Sequence, residues 1–189
     1  MNCNADLPAE MREELKKMVG CRLAAYMDDD RCGHDSSYDV VLLDVEGRFA
    51  ELRFHEIVHA GEDIDETTTV RIYRRNSPAT PSCAPDEDVV DDHTAWISHS
   101  VGKTITGIAL AVNTRCDYDD GGSSVASSVV FVQGLVIYLG DEAIVFDKGE
   151  WWSRNWRIRR CRPDEVSFVA DSDPDDHPGT VFTVRLESL

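Results

Sequence analysis

Three residues in the first third of the chain have the types and the spacing that zinc chemistry requires. His55, Glu56 and His59 form the pattern H-E-x-x-H. On a helix, the two imidazoles would lie one turn apart on the same face, where both could bind one zinc ion. Glu56 would then polarise a water molecule bound to that ion. For a helical backbone, the pattern therefore predicts a hydrolytic metal site.

This five-residue pattern resembles that of the zincin metallopeptidases. The resemblance implies that His55 and His59 are metal ligands, that Glu56 is the general base, and that zinc is the cofactor. It covers residues 55–59 only. The candidates for a third ligand are Glu62, Glu66, Glu87 and His93.

The residues around the pattern predict a strand rather than a helix. Residues 49–58 alternate in polarity and follow the turn-forming pair Glu46-Gly47. On a strand, His55 and His59 would share a face but lie about 13 Å apart, which is too far for one zinc ion. We therefore expect no catalytic residue and no metal ligand here, and the zinc site is the alternative.

A second candidate site is the run of tryptophan and arginine residues between positions 151 and 162. Interleaved rings and guanidinium groups can stack on bases and neutralise phosphates. They can also fill a core while the arginines pair with acids of neighbouring strands. Because the whole chain is acidic, a protein or anionic-ligand contact is favoured over nucleic acid. The predicted binding residues are Trp151, Trp152, Arg154, Trp156, Arg157 and Arg159.

The charge of the chain limits its partners. It contains 36 acidic and 19 basic residues, which gives a formal net charge of −17. Such a surface repels the phosphates of nucleic acids and anionic membranes, and it favours basic proteins or metal cations. We therefore expect a basic protein partner, with no nucleic acid and no membrane.

The cysteines and the N-terminus predict a cytoplasmic, soluble protein. The six cysteines are scattered, and no C-x-x-C pair occurs, which favours reduced thiols. The first residues have neither the basic nor the apolar region of a secretory signal. No run approaches the roughly 20 apolar residues that a membrane span needs.

The patterning predicts an α+β, mostly β fold in a single domain over residues 1–189. An N-terminal amphipathic helix over residues 6–28 would pack on a sheet formed by residues 38–75 and 104–187. Residues 76–92, rich in proline and acids, would form an exposed excursion. The sheet would be antiparallel or a partly closed barrel of about eight strands. The predicted strands are 40–45, 49–58, 67–74, 104–114, 129–139, 143–146, 152–161 and 181–186.

Two details of that sheet can be tested directly. Residues 129–161 are predicted to form an antiparallel meander, in which Trp152, Trp156 and Ile158 face one side and Arg157 and Arg159 face the other. Gly107 is predicted to mark a β-bulge.

These observations favour a non-catalytic binding protein. Its acidic loops would cover a basic protein, as an inhibitor or immunity-type protein covers a nuclease toxin. The alternatives are a zinc-dependent hydrolase that uses residues 55–59, and a small-ligand carrier in which the sheet closes around an apolar cavity.

Overall fold

The computed structural model describes residues 2–29, 40–60, 64–76, 96–118, 124–148, 156–169 and 180–189. Within these ranges the chain is mostly β, as the sequence predicts, with eleven strands and one α-helix. In chain order the elements are β1 Asn2–Ala5, α1 Ala9–Lys16, β2 Arg22–Asp29, β3 Val40–Val45, β4 Arg48–Ala60, β5 Ile64–Arg75, β6 Trp96–Thr104, β7 Gly107–Tyr118, β8 Val125–Tyr138, β9 Ala143–Lys148, β10 Trp156–Cys161 and β11 Thr180–Ser188.

The strands form two sheets, so the prediction of a partly closed barrel is wrong. The first sheet has the order β10-β9-β8-β7-β11, with β1 beside the first half of β8, and the second has the order β5-β4-β3-β2-β6. All neighbouring strands are antiparallel except β1 and β8. Each sheet buries one face against the other. The fold is therefore a sandwich of two sheets rather than a single closed surface.

The predicted meander is confirmed. Strands β8, β9 and β10 are antiparallel neighbours in chain order. In β10, Trp156 is buried and Ile158 packs against the core, whereas the Arg157 side chain is exposed. Trp152 lies outside the described residues. The alternation of side chains therefore specifies which face of β10 is buried.

The predicted helix over residues 6–28 is mostly wrong. The helix α1 covers only Ala9–Lys16, and Arg22–Asp29 is strand β2. A turn with a positive φ angle at Gly20 separates the two elements. Strand β2 pairs with β3 on one side and with β6 on the other. These backbone hydrogen bonds with distant residues outweigh the helical spacing of apolar residues in β2.

Three strands, β1, β2 and β6, are absent from the prediction. Strand β1 has four residues, and β6 contains the polar run Ser98-His99-Ser100, so neither shows clear apolar alternation. The pairing of β6 with β2 holds this polar run in the sheet. Most of the predicted excursion over residues 76–92 lies outside the described residues, because the range 77–95 is not described.

The predicted bulge at Gly107 is also wrong, since Gly107 pairs regularly with Tyr138. One register shift lies further along, where Ala111 pairs with Gly134 and the next residue of β7 pairs with Val132, and a second lies between Asp117 and Tyr118. Gln133 is therefore the extra residue of a bulge in β8. The extra residue offsets the alternation of side chains, so Val132 before the bulge and Leu135 after it both face the core.

A single apolar cluster fills the space between the sheets. It draws on both sheets and on Leu15 of α1, which is fully buried. A hydrogen bond from the Val132 backbone N–H to Thr69 Oγ1, at 3.0 Å, joins β8 of the first sheet to β5 of the second. Among the described helices, none is long and apolar enough to cross a membrane.

The sandwich has two ends that differ in their contents. At the helix end lie α1 and the connection between β6 and β7, where the Ile105 N–H donates to the Cys21 carbonyl and the Thr106 N–H to the Tyr138 carbonyl. At the opposite end, which we call the loop end, Trp156 of β10 stacks on Phe54 of β4 with ring centroids 4.1 Å apart.

Gly134, beside the bulge, provides a test of this packing. A Cβ atom at Gly134 would lie 2.5 Å from the Phe146 carbonyl oxygen and 2.8 Å from Phe168 Cε1. We expect Gly134→Ala to lower the free energy of unfolding by roughly 1–3 kcal/mol, because a backbone atom cannot move away without disturbing β9. Urea denaturation measures this loss.

Gly107→Ala is the matched control, because its Cβ would meet no atom closer than 3.6 Å. This variant should stay within about 0.5 kcal/mol of the parent protein. Equal stability losses in the two variants would contradict the close approach at Gly134.

Candidate functional site

The H-E-x-x-H residues lie on a strand. His55, Glu56 and His59 belong to β4, whose backbone pairs with β5 without interruption, His55 opposite Thr69 and His59 opposite Asp65. The predicted strand is therefore confirmed, and the helix that the zincin resemblance requires is absent from residues 48–60. The side chains of these three residues lie outside what the structure describes. Within the part that it describes, no group of three His, Cys, Asp or Glu side chains could hold a metal ion.

Of the six predicted binding residues, three are described, all on β10. Trp156 is buried, stacks on Phe54 and meets Phe146 edge to face at 6.4 Å. Its ring therefore belongs to the core, as in the alternative that the rings fill the interior. Trp151, Trp152 and Arg154 lie outside the described residues. A binding role for this segment stays a prediction.

The two described arginines of that set have different surroundings. Arg157 has a side chain that is 66% exposed, lies 3.9 Å from Asp147 and donates to the Lys148 carbonyl at 3.1 Å. Arg159 donates to the Ser167 carbonyl and so holds the segment that follows β10. Arg157 is thus the described residue of this set with the most surface available to a partner.

A chain of buried polar side chains crosses the first sheet on its outer face. Asn113 Nδ2 donates to Gln133 Oε1, and Gln133 Nε2 donates to Asp147 Oδ1, both at 3.1 Å. Gln133 Nε2 also donates to the Val169 carbonyl at 2.8 Å, which fixes the segment that covers this face. All three side chains are buried. In the sequence, these buried polar side chains were indicated only by the pair Gln133-Gly134, which interrupts an apolar run.

Asp147 is the one acid among these three buried polar side chains, and its surroundings disfavour the charged form of its carboxyl group. Burial raises the pKa of the Asp147 carboxyl, and the hydrogen bond from Gln133 and the charges of Arg157 and Arg159 only partly offset that effect. An acid whose pKa is raised by burial can mark a functional site, but structural networks show the same effect.

At the loop end, the surroundings of Asp117 favour the charged form of its carboxyl group. It accepts hydrogen bonds from Ser127 and from Thr180, and Arg115 lies 3.1 Å away. Burial alone would raise the pKa of Asp117, but these hydrogen bonds and the Arg115 charge outweigh burial and lower it. The carboxylate thereby joins β7, β8 and β11.

Nearly half of the acidic residues lie in segments that join a strand at the loop end. Six segments of sequence lie between the described ranges. Four of them, 30–39, 61–63, 119–123 and 149–155, join the ends of neighbouring paired strands there. Residues 77–95 follow β5, which ends at the helix end, and re-enter the second sheet at the loop end, and residues 170–179 re-enter the first sheet there. These six segments contain 17 of the 36 acidic residues and 2 of the 19 basic residues. They are residues 30–39, 61–63, 77–95, 119–123, 149–155 and 170–179.

The strand ends show how this concentration arises. Asp29 pairs with Trp96, Tyr118 pairs with Val125, and Asp117 pairs with Thr180. Because antiparallel pairing brings successive strand ends together, strand ends that adjoin acidic stretches far apart in sequence lie at one end of the sandwich. The sequence shows each acidic stretch, but only the topology shows that these strand ends lie together.

Comparison with models of protein families, with curated proteins and with solved structures finds no significant match to this chain.

The buried acid of the polar chain yields a prediction with a defined sign. Asp147→Asn keeps an oxygen that can accept from Gln133 Nε2 and removes the buried charge. The folded-state pKa of Asp147 lies above its ordinary value of 3.8, so the folded protein holds this proton more tightly than the unfolded chain does. The contribution of Asp147 to stability therefore falls as the pH rises from about 3.8 through the folded-state pKa.

We expect Asp147→Asn to be more stable than the parent protein at neutral pH, with an advantage that grows over that pH interval and is constant above it. Urea unfolding between about pH 4 and about pH 8 measures this difference. Asp164→Asn, at an exposed acid, is the control and should stay within about 0.5 kcal/mol of the parent protein at neutral pH. A variant that is destabilised equally at every pH would show that the carboxylate is needed for its hydrogen bonds alone.

Proposed function

We propose that this protein is a non-catalytic binding protein whose loop end covers a basic protein partner. The observation that carries the proposal is that segments with 17 of the 36 acidic residues and 2 of the 19 basic residues each adjoin at least one strand end at the loop end of the sandwich. Such a concentration of one charge raises the local potential and steers a basic partner towards that end. It also rejects acidic partners, because like charges would be brought together.

An inhibitor or immunity-type protein is the specific form of this proposal. A protein of that type needs a stable scaffold that presents many carboxylates and no reaction centre. The sandwich core supplies the scaffold, and the strand conformation of residues 48–60 gives no support to a zincin-type hydrolase. The space between the sheets is filled by apolar side chains, which gives no support to a carrier barrel. A cytoplasmic location stays a prediction.

The proposal can be tested with a twenty-residue polylysine peptide as the basic probe. One variant neutralises four acids in two short segments whose flanking residues both lie at the loop end, namely Glu62→Gln, Asp63→Asn, Asp119→Asn and Asp120→Asn. If each contact contributes roughly 0.4 kcal/mol, this variant should bind the peptide about tenfold more weakly than the parent protein. Isothermal titration calorimetry at low ionic strength measures the affinity.

The matched control neutralises four acids away from that end: Glu10→Gln, Glu13→Gln, Asp141→Asn and Asp164→Asn. It removes the same formal charge, so it should weaken binding less than about threefold if position matters. In the parent protein, binding should weaken steeply between about 20 mM and about 500 mM salt. Equal losses in the two variants, or binding that is independent of salt, would contradict a partner surface at the loop end.

A further inference from the structure

A cleft that encloses about 50 Å³ opens at the helix end. It lies between the C-terminal end of α1, the turn from β3 to β4, and the end of β5. Its most deeply buried lining residues are Val45, Ala50 and Ile72, which belong to the apolar core. Met18 and Phe49 are partly buried and complete the apolar lining. The cleft therefore exposes a small part of the core to solvent.

The opening of this cleft is basic, although the chain as a whole is strongly acidic. Lys17, Arg48 and Arg74 line it, and their side chains are 63%, 60% and 68% exposed. Glu14 is the one acid among the lining residues. It lies 2.6 Å from Lys17 Nζ and 3.4 Å from Arg74 Nη2. Cations therefore outnumber acids at the opening.

These three cations all interact with the carboxylate of Glu14. The pKa of the Glu14 carboxyl is lowered, first by the hydrogen bond from Lys17 and then by the charges of Arg74, Lys17 and Arg48. Glu14 thus shows that a carboxylate beside this opening is stabilised by all three cations. Arg48 also lies 3.5 Å from Glu46 and reaches Cys21 Sγ at 3.7 Å, so its guanidinium is held near the opening.

We propose that this cleft binds a short-chain aliphatic carboxylate, with its alkyl end against Val45, Ala50 and Ile72 and its carboxylate beside Arg48 and Arg74. Charge complementarity selects an anion, and the apolar lining selects an alkyl chain over a hydrated ion. The enclosed volume has room for the last few carbon atoms of such a chain, and for no ring system. This site uses different residues from the proposed partner surface, so the two proposals can be tested separately.

The chain length of the ligand provides the first test. The probes are acetate, butyrate, hexanoate and octanoate, and binding is followed by the amide chemical shifts of isotope-labelled protein. Each methylene group that enters the cleft should raise the affinity about fourfold. The gain should stop once the enclosed volume is full, so octanoate should bind no more than about fourfold more tightly than hexanoate. The shifts should centre on residues 45–50 and 72–74.

Substitutions at the opening test the charge. Arg48→Gln with Arg74→Gln should weaken hexanoate binding at least about fivefold, because two exposed ion pairs are lost. Glu14→Gln should strengthen it, because the internal carboxylate no longer competes for Lys17 and Arg74. Arg185→Gln, at an exposed arginine of β11 far from the cleft, is the control and should leave binding unchanged. Hexanol, which has no charge, should bind at least about fivefold more weakly than hexanoate.

Several results would overturn the proposal. They are an affinity that does not depend on chain length, hexanol binding as tightly as hexanoate, shifts centred outside the cleft, and weaker binding in Glu14→Gln. An equal loss in the arginine pair variant and in Arg185→Gln would do the same, since it would reduce the effect to net charge. Because all the substituted side chains are at least partly exposed, circular dichroism of each variant should match the parent protein.

Discussion

The structure depends on the contact between the inner faces of its two sheets. Four aromatic side chains meet at that contact. Phe54 stacks on Trp156 and Phe146 meets Tyr26 edge to face across it, and Phe146 also meets Trp156 edge to face within one sheet. Tyr26 and Phe54 belong to one sheet, and Phe146 and Trp156 belong to the other. Such pairs contribute roughly 0.5–1.5 kcal/mol each beyond the burial of their surface. The aromatic contacts also fix how the sheets lie over one another, because ring geometry is more specific than aliphatic packing.

Fixing the sheets in this way separates the charges of the molecule. The strands run between two ends. Four of the segments between the described ranges join neighbouring strands at the loop end, and two more re-enter a sheet there. The helix end holds α1 with the basic opening formed by Lys17, Arg48 and Arg74. A chain with a formal net charge of −17 thereby presents ends of different character. This separation supports two distinct proposals for one small sandwich.

The outer face of the first sheet contains a row of buried polar side chains. The bulge at Gln133 places an amide between Asn113 and Asp147, and Gln133 also holds the Val169 carbonyl of the covering segment. Gly134 allows that segment to approach, because its missing side chain leaves room for Phe168. Buried polar chains of this kind specify one arrangement, since any other arrangement would leave buried donors and acceptors without partners. The raised pKa of Asp147 is the consequence of placing an acid there.

The sequence by itself determined the local conformation of most strands. The two-residue alternation in β4 and β10 and the β-branched runs of β8 and β9 are local properties, because a strand alternates its side chains whichever partner it has. This alternation correctly placed His55 and His59 on a strand and turned Trp156 inwards. The acidic stretches can also be identified from the sequence alone.

Tertiary structure decided what pairs with what. Residues 22–29 have helical spacing but form a strand, because β3 and β6 offer hydrogen bonds on both sides. Pairings between distant residues determine the division into two sheets and the bulge at Gln133. They also determine which strand ends lie at the loop end and which residues line the basic cleft. Periodicity contains no information about such partners, since a strand can pair with any other strand whose apolar face matches its own.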